Sequence, residues 1–260
     1  SMNGKKVIAP LHVGFAYTKP LAVVGNILDK EKGYLTLLST ATRRPIDIVE
    51  ISCPGARDAM FNMDDSKIFT TCQQEPKGMA VIDVEARKEI KMVPIKGGRA
   101  GGMDPQGKYF MVSASKSVHF FDSQTAELVK TIKVPGGGGN FTCLKDGSKC
   151  YVGLRKANAV GVIDMAKLEL MKTIETGPDA NRLYLNPGNS RYGLFANEAG
   201  KSDIVSIIDT QLDVKVKDIW TGLGPHNVAF DPDGKFAVIS TKKENVCLLY
   251  TSPSPRDRSI

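Results

Sequence analysis

The sequence predicts an all-β fold, a β-propeller of four-stranded blades, from two periodic features that keep the same phase. A hairpin of two apolar runs around a polar turn recurs, with its turn residue at positions 65, 107, 147, 189 and 234. The intervals of 42, 40, 42 and 45 residues match the length of a propeller blade. An aspartate that ends an apolar run repeats at Asp83, Asp122, Asp164 and Asp209. Together these features predict blades copied around a shared axis.

The stretch 224–240 illustrates how one repeat forms its strands. One apolar run ends at Phe230, an Asp-Pro-Asp-Gly turn follows, and a second run ends at Ile239. Pro and Gly supply the backbone dihedrals that a tight turn between two twisted strands needs. Each repeated aspartate precedes polar residues and another apolar run, so we expect it to accept hydrogen bonds from backbone amides at the turn between strands three and four. The predicted blades span 8–52, 53–96, 97–135, 136–177, 178–222 and, in part, 223–246, within one domain over 1–246.

The residues after 246 do not continue the repeat. From Cys247 to Asp257, eleven consecutive residues resemble the translation of a transposon-based sequencing adapter. We interpret 247–260 as a non-native tail and the propeller as incomplete, with about five and a half blades of a parent that has about seven or eight. Val246–Tyr250 is apolar and β-prone, so we expect that it can still form a third strand.

Composition narrows the function classes. The formal net charge is +7, but the basic residues are spread along the chain without the aromatic interleaving that nucleic-acid binding uses. We therefore expect no nucleic-acid partner. No apolar run approaches the roughly 20 residues of a membrane span, and no signal segment is recognisable in this chain.

The repeat resembles the YVTN-type β-propeller family over about positions 8–246. Each copy begins with Gly-x-x-Pro or Gly-Pro-x-x, followed by an apolar strand, Pro-Asp-Gly-Lys, a second apolar strand, a polar turn and Val-Ile-Asp. The stretches 224–239 and 159–173 follow this pattern most closely. Asp65 and Asn189 stand where the family usually has Gly. The resemblance implies a periplasmic or secreted parent protein. It leaves the function open, because members include proteins of unknown role, nucleic-acid-associated and surface-associated proteins, and relatives of the haem d1-binding propellers of nitrite reductases.

Repeat alignment also predicts a site at one mouth of the axial channel. Residues just before each innermost strand surround that mouth, and they are Arg57, Asp58, Arg99, Asn140, Asn181, Arg182, His226 and Asn227. Arginine forks and amides suit an anion or a cofactor carboxylate, and His226 is a candidate metal or haem ligand. The alternative interpretation is a hydrated polar mouth that selects no ligand.

Three functions follow from this site. The leading hypothesis is a non-catalytic propeller without a cofactor, which binds a small anionic ligand or a protein partner at the mouth or on the blade faces. The second is a haem d1-type propeller of an oxidoreductase. The third is a metal-dependent, lactonase-like hydrolase, which needs Glu, Asp and Asn ligands together. Asp58, Asn140, Asn181 and Asn227 qualify, but no Glu is evident at the mouth.

Two cysteines fall at facing positions of one predicted hairpin. A disulfide between Cys143 and Cys150 is sterically possible and implies an oxidising compartment. Their repeat equivalents Phe230 and Ala237 are apolar core positions, which favours two buried free thiols.

The remaining candidate residues are predicted to be structural. His119 alternates with apolar neighbours, as expected of a hydrogen-bonded histidine on a strand, and His12 precedes the first strand without a partner at a useful spacing. The glycine run 136–139 predicts a flexible crossing between blades, because no helix or Lys-Ser/Thr follows it.

Overall fold

A computed structural model describes residues 9–27 and 31–244, together with the backbone of 247–251. The chain divides into two compact units, unit 1 (Ser1–Lys133) and unit 2 (Val134–Ile260). Both units consist of antiparallel sheets in which each strand pairs with its neighbours in the sequence. Within the described residues, no helix has the length and apolar character needed to cross a membrane.

Unit 1 holds three four-stranded sheets in its described part. The first comprises β1 (Pro10–Phe15), β2 (Leu21–Asn26), β3 (Gly33–Ser39) and β4 (Arg44–Ile51). The second comprises β5 (Ala56–Phe61), β6 (Lys67–Cys72), β7 (Gly78–Asp83) and β8 (Lys88–Pro94). The third comprises β9 (Ala100–Met103), β10 (Tyr109–Ser113), β11 (Ser117–Asp122) and β12 (Leu128–Lys133).

Unit 2 holds two four-stranded sheets and one three-stranded sheet in the part that the structure describes. The first comprises β13 (Phe141–Cys143), β14 (Lys149–Leu154), β15 (Ala159–Asp164) and β16 (Glu169–Glu175), with a single 3₁₀ turn over Arg155–Ala157. The second comprises β17 (Ala180–Leu185), β18 (Tyr192–Asn197), β19 (Ile204–Asp209) and β20 (Val214–Trp220). The third comprises β21 (Pro225–Phe230), β22 (Phe236–Thr241) and β23 (Cys247–Thr251).

Each of the five four-stranded sheets lies inside one predicted blade, so the predicted fold class, an all-β incomplete propeller of four-stranded blades, is confirmed. The third strand of the last sheet, β23, forms where β propensity predicted one, and it pairs with β22 from Ser240↔Cys247 to Phe236↔Thr251. Val246 lies outside the described residues, as do residues 252–260 of the adapter-like tail.

Apolar side chains fill the space between consecutive sheets in each unit. In unit 1, Phe61 and Val23 belong to one core cluster, and Phe69 and Phe110 stack in another, with ring centroids 5.1 Å apart. In unit 2, Phe195 and Tyr151 share a third cluster. Since these side chains come from neighbouring sheets, burial between blades holds the repeats together.

The repeated aspartates terminate their strands as predicted. Asp122 Oδ1 accepts hydrogen bonds from the backbone N–H groups of Gln124 and Thr125, and Asp164 Oδ1 accepts them from Ala166 and Lys167. Asp83 and Asp209 accept equivalent bonds two or three residues downstream. These bonds satisfy turn amides that the sheet leaves unpaired.

The glycine run forms a crossing between blades because the backbone there passes close to another strand. A Cβ on Gly139 would stand 2.5 Å from both the Cα and the carbonyl oxygen of Gly153. The N–H of Gly139 donates to that same carbonyl oxygen at 3.0 Å. Strand β13 follows the run, so the run connects two consecutive sheets, as expected of a crossing between blades.

The expectation of free thiols at Cys143 and Cys150 is wrong, because the structure joins them in a disulfide. Leu144 and Lys149 form the hydrogen-bonded pair beside the turn. Cys143 and Cys150 therefore form the following non-hydrogen-bonded pair, in which facing side chains stand closest. A second disulfide, Cys53–Cys72, which the sequence did not predict, has a Cα–Cα distance of 5.7 Å.

Candidate functional site

Polar side chains in unit 2 converge on one buried carboxylate, that of Glu198, whose side chain is 4% exposed. Asn181 Nδ2 donates to Glu198 Oε1 at 2.5 Å, and Lys242 Nζ donates to Glu198 Oε2 at 2.9 Å. Glu198 and its neighbours are called the Glu198 cluster: Asn140, Arg155, Asp179, Asn181, Glu198, His226 and Lys242.

Strand register brings this cluster together. Asn181 lies at the start of β17 and Glu198 directly follows β18, and the two ends meet because Ala180 pairs with Asn197. Asn140 precedes β13 and donates its N–H to the Asn181 carbonyl oxygen at 2.9 Å. Its Nδ2 also donates to Asn181 Oδ1 at 3.3 Å. The amides are thereby fixed before any ligand arrives.

The basic side chains of the cluster differ in their exposure to solvent. Arg155 NH2 donates to Asp179 Oδ2 at 2.5 Å, while its NH1 lies 4.0 Å from Glu198 Oε2 and finds no hydrogen-bond partner among the described residues. His226 Nε2 lies 3.5 Å from Glu198 Oε1. The side chains of His226 and Lys242 are 37% and 46% exposed. The buried Glu198 carboxylate thus contacts the side chains of Lys242 and His226, which solvent reaches.

Arg182 and Asn227 lie beside the cluster and contact Tyr184. The Arg182 guanidinium lies over the Tyr184 ring, 5.4 Å from its centroid. The Tyr184 hydroxyl is 3.0 Å from Asn227 Oδ1 and 3.2 Å from the His226 carbonyl oxygen. Burial raises the pKa of Tyr184, so its hydroxyl keeps the proton that it donates.

In unit 1 the structure brings Arg57 and Asp58 into one buried ion pair, with Arg57 NH1 2.8 Å from Asp58 Oδ2. The Gly101 N–H also donates to Oδ2, at 2.9 Å, and His12 Nδ1 is hydrogen-bonded to Oδ1. The expectation that His12 has no partner is therefore wrong, because β1 packs against β5 and carries His12 onto Asp58. Arg99 is half-buried before β9, and its N–H donates to the Ser113 carbonyl oxygen at 3.0 Å.

His119 has hydrogen bonds at both ring nitrogens, as predicted for a structural histidine. Nε2 is 2.9 Å from Ser117 Oγ and Nδ1 is 3.0 Å from Thr131 Oγ1. Burial lowers the pKa of His119, which favours the neutral ring.

Sequence reasoning missed Glu198, Lys242 and Arg155, and its statement that no Glu is evident in the site needs correction. All three directly follow the second strand of a blade, and they are 43 and 44 residues apart. Only residues before the first strands had been aligned. In an antiparallel hairpin the end of the second strand lies beside the start of the first, so the same periodicity could have located these residues.

A second concave region of unit 2 lies at the opposite ends of these strands. It has a volume of about 410 Å³, and its lining includes Lys145, Lys149 and Arg191. Lys149 Nζ already pairs with Asp213 at 2.8 Å, and Arg191 pairs with Asp209 at 3.1 Å. We favour the Glu198 cluster as the functional site because it combines a buried carboxylate with Lys242 and His226 side chains that solvent reaches.

Comparison with known proteins establishes the fold alone. No protein-family model and no curated protein matches this chain. Among solved structures it resembles Kuenenia stuttgartiensis hydrazine synthase, at 15% identity and TM-score 0.60, over 97% of this chain and 99% of that one. It resembles the Dos1 propeller at 13% identity and TM-score 0.71, over 92% and 66%. It also resembles a Bacteroides fragilis protein provisionally assigned as a 6-phosphogluconolactonase, at 17% identity and TM-score 0.77, over 95% and 81%. All three are β-propellers.

The residues present fit a haem d1 group poorly. Arg57 is committed to Asp58, Arg182 lies on Tyr184, and His226 Nε2 faces Glu198. These three side chains, which the sequence predicts to hold the cofactor, therefore already contact other residues of this chain. A metal-dependent hydrolase has no better support, since no group of three or more His, Cys, Asp or Glu side chains in the described part could hold a metal ion.

Proposed function

We propose that this chain is a ligand-binding propeller whose Glu198 cluster binds a small, hydroxylated anion. The observation that carries the proposal is the buried Glu198 carboxylate, 4% exposed, with Lys242 and His226 held against it at 46% and 37% exposure. A donor held by an internal acid loses little conformational entropy when a ligand binds, so such groups are preorganised.

The charges near the cluster favour an anion. Arg155, Arg182 and Lys242 carry positive charge, whereas Asp179 and Glu198 carry negative charge. Lys242 supplies a charge-assisted donor for a carboxylate or phosphate, and the exposed His226 ring lies beside the same Glu198 carboxylate. The amides of Asn140 and Asn181 suit hydroxyl groups, which both donate and accept.

Titration calorimetry with 6-phosphogluconate and with citrate tests this proposal. We expect Lys242→Ala to weaken binding of the preferred anion about tenfold or more, because it removes a charge-assisted hydrogen bond. Lys242→Arg should retain part of the affinity. The matched control is Lys243→Ala, since Lys243 is an exposed neighbour whose N–H bonds to the Leu223 carbonyl oxygen. The proposal fails if neither anion binds, or if both lysine-to-alanine variants weaken binding equally.

Lactone hydrolysis is a second candidate, favoured by the His226–Glu198 contact of 3.5 Å and by the fold shared with the lactonase-like protein. His226 would accept a proton from water, and Glu198 would stabilise the resulting imidazolium. Acid release from 6-phosphogluconolactone at constant pH tests it. Lactonase activity requires a hydrolysis rate above the spontaneous rate, and Glu198→Gln should abolish this excess.

We also propose an oxidising compartment, periplasmic or secreted. The disulfides Cys53–Cys72 and Cys143–Cys150 support it, because structural disulfides persist mainly in such compartments. A protein partner on the blade faces is compatible with the fold, but no residue identifies one.

A further inference from the structure

Unit 1 contains a second polar cluster, in which the side chains of Arg57, Asp58 and His12 are joined by hydrogen bonds. Asp58 is buried, with 4% of its side chain exposed, and Arg57 beside it is 7% exposed. The His12 side chain is 38% exposed. A buried ion pair therefore ends in an imidazole that solvent reaches.

Three donors bind the Asp58 carboxylate. His12 Nδ1 bonds to Oδ1, while Arg57 NH1 and the Gly101 N–H bond to Oδ2. Burial alone would raise the pKa of Asp58, but the hydrogen bond from His12 and the charge of Arg57 outweigh it and lower the pKa. Asp58 thus stays ionised and accepts a hydrogen bond from His12, which fixes a hydrogen on Nδ1 of the ring.

When the His12 ring is neutral, this arrangement leaves its Nε2 as an acceptor. Among the described residues it forms no hydrogen bond, whereas both nitrogens of His119 are bonded and His226 Nε2 faces Glu198. An imidazole held at Nδ1 by a carboxylate, with Nε2 open, is the arrangement that general-base catalysis uses.

We propose that His12 is a general base for hydrolysis of a small carboxylic ester or lactone, with Asp58 as its positioning residue. Nε2 takes a proton from water while the water oxygen bonds to the carbonyl carbon. The ester C–O bond then breaks, and the leaving alkoxide takes the proton back from Nε2. Asp58 stabilises the imidazolium between these steps, and Arg57 keeps Asp58 ionised. This activity is separate from ligand binding by the Glu198 cluster.

The test is steady-state hydrolysis of p-nitrophenyl acetate by the full chain across a pH series. We expect a rate above buffer that rises with pH as one group loses its proton, and a loss of about 10²-fold in His12→Ala. Asp58→Asn should lower the rate while circular dichroism still reports folded protein. The matched control is His119→Ala, which should retain the rate because both His119 nitrogens are already bonded.

A second measurement does not depend on turnover. Long-range ¹H–¹⁵N spectra of the imidazoles should show His12 protonated at Nδ1 and unprotonated at Nε2, and Asp58→Asn should redistribute the tautomers. The proposal is overturned by a wild-type rate equal to buffer, by an unchanged rate in His12→Ala, by a loss in His226→Ala alone, or by a His12 proton on Nε2.

Discussion

Asp65→Ala should lower the free energy of unfolding by about 3 kcal/mol, because one buried carboxylate accepts several hydrogen bonds from the preceding blade. Asp65 is 0% exposed, and its two oxygens accept hydrogen bonds from the backbone N–H groups of Tyr17, Thr18 and Lys19 at 2.7–2.9 Å. The Thr18 hydroxyl adds a fourth, at 2.7 Å. Alanine would remove these hydrogen bonds between blades and would adopt the positive φ of 55° less readily than aspartate.

Urea unfolding followed by circular dichroism measures this loss, and Asp64→Ala is the matched control. Asp64 is exposed and its Oδ1 accepts only from the neighbouring Ser66, so we expect a cost under about 1 kcal/mol. Asp65→Asn, which keeps one acceptor and tolerates positive φ, should fall between the two. Equal losses in Asp64→Ala and Asp65→Ala would contradict the role of Asp65.

The Asp65 contribution also depends on pH. Burial by itself would raise the pKa of Asp65, but the hydrogen bonds from Thr18, Tyr17 and Lys19 outweigh it and lower the pKa. The stabilisation is therefore complete above the unfolded-state value of about 3.9 and is lost as pH falls through the folded-state value. The difference between wild type and Asp65→Ala should be constant near neutral pH and should shrink in acid.

Removing the Cys53–Cys72 disulfide should lower the free energy of unfolding by about 3 kcal/mol, since the bond closes a loop between residues 19 apart. Cys143–Cys150 closes a loop between residues 7 apart, so its removal should cost about 2 kcal/mol. Paired Cys→Ala variants in urea unfolding compare the two without introducing buried hydroxyls. Reductant should destabilise the wild type and leave a variant without either bond unaffected.

Thiol titration provides an independent check on the same bonds. The chain has five cysteines, and four of them form the two disulfides. Denatured, unreduced protein should therefore expose one reactive thiol, that of Cys247. Five reactive thiols would contradict both bonds and would remove the support for an oxidising compartment.

Local sequence chemistry predicted the blades because each repeat carries its own turn signals. The aspartates at 83, 122, 164 and 209 end their strands as their positions implied. Asp65 stands where the equivalent turns of this chain have Gly107, Gly147 and Gly234. It adopts the positive φ that those glycines adopt, and it also accepts hydrogen bonds from the preceding blade. The repeat periodicity indicates the positive φ, but the hydrogen bonds to the preceding blade depend on packing between blades.

Contacts between blades explain what the sequence did not reveal. Asp58 and His12 belong to different repeats and meet because β5 packs against β1, so no spacing within one repeat links them. Glu198 follows the second strand of its blade, so an alignment of the residues before the first strands does not include it. The apolar repeat equivalents of Cys143 and Cys150 favour free thiols, yet a disulfide is itself compatible with an apolar position such as that of the buried Cys150.

The most direct test of the central claim is a crystal structure of the chain with 6-phosphogluconate or citrate, whichever binds more tightly. We expect an anionic group of the ligand about 3 Å from Lys242 Nζ, with His226 beside it and Glu198 still bonded to Asn181. A ligand found only in the 410 Å³ region near Lys145 and Arg191, with the Glu198 cluster unoccupied, would contradict the account.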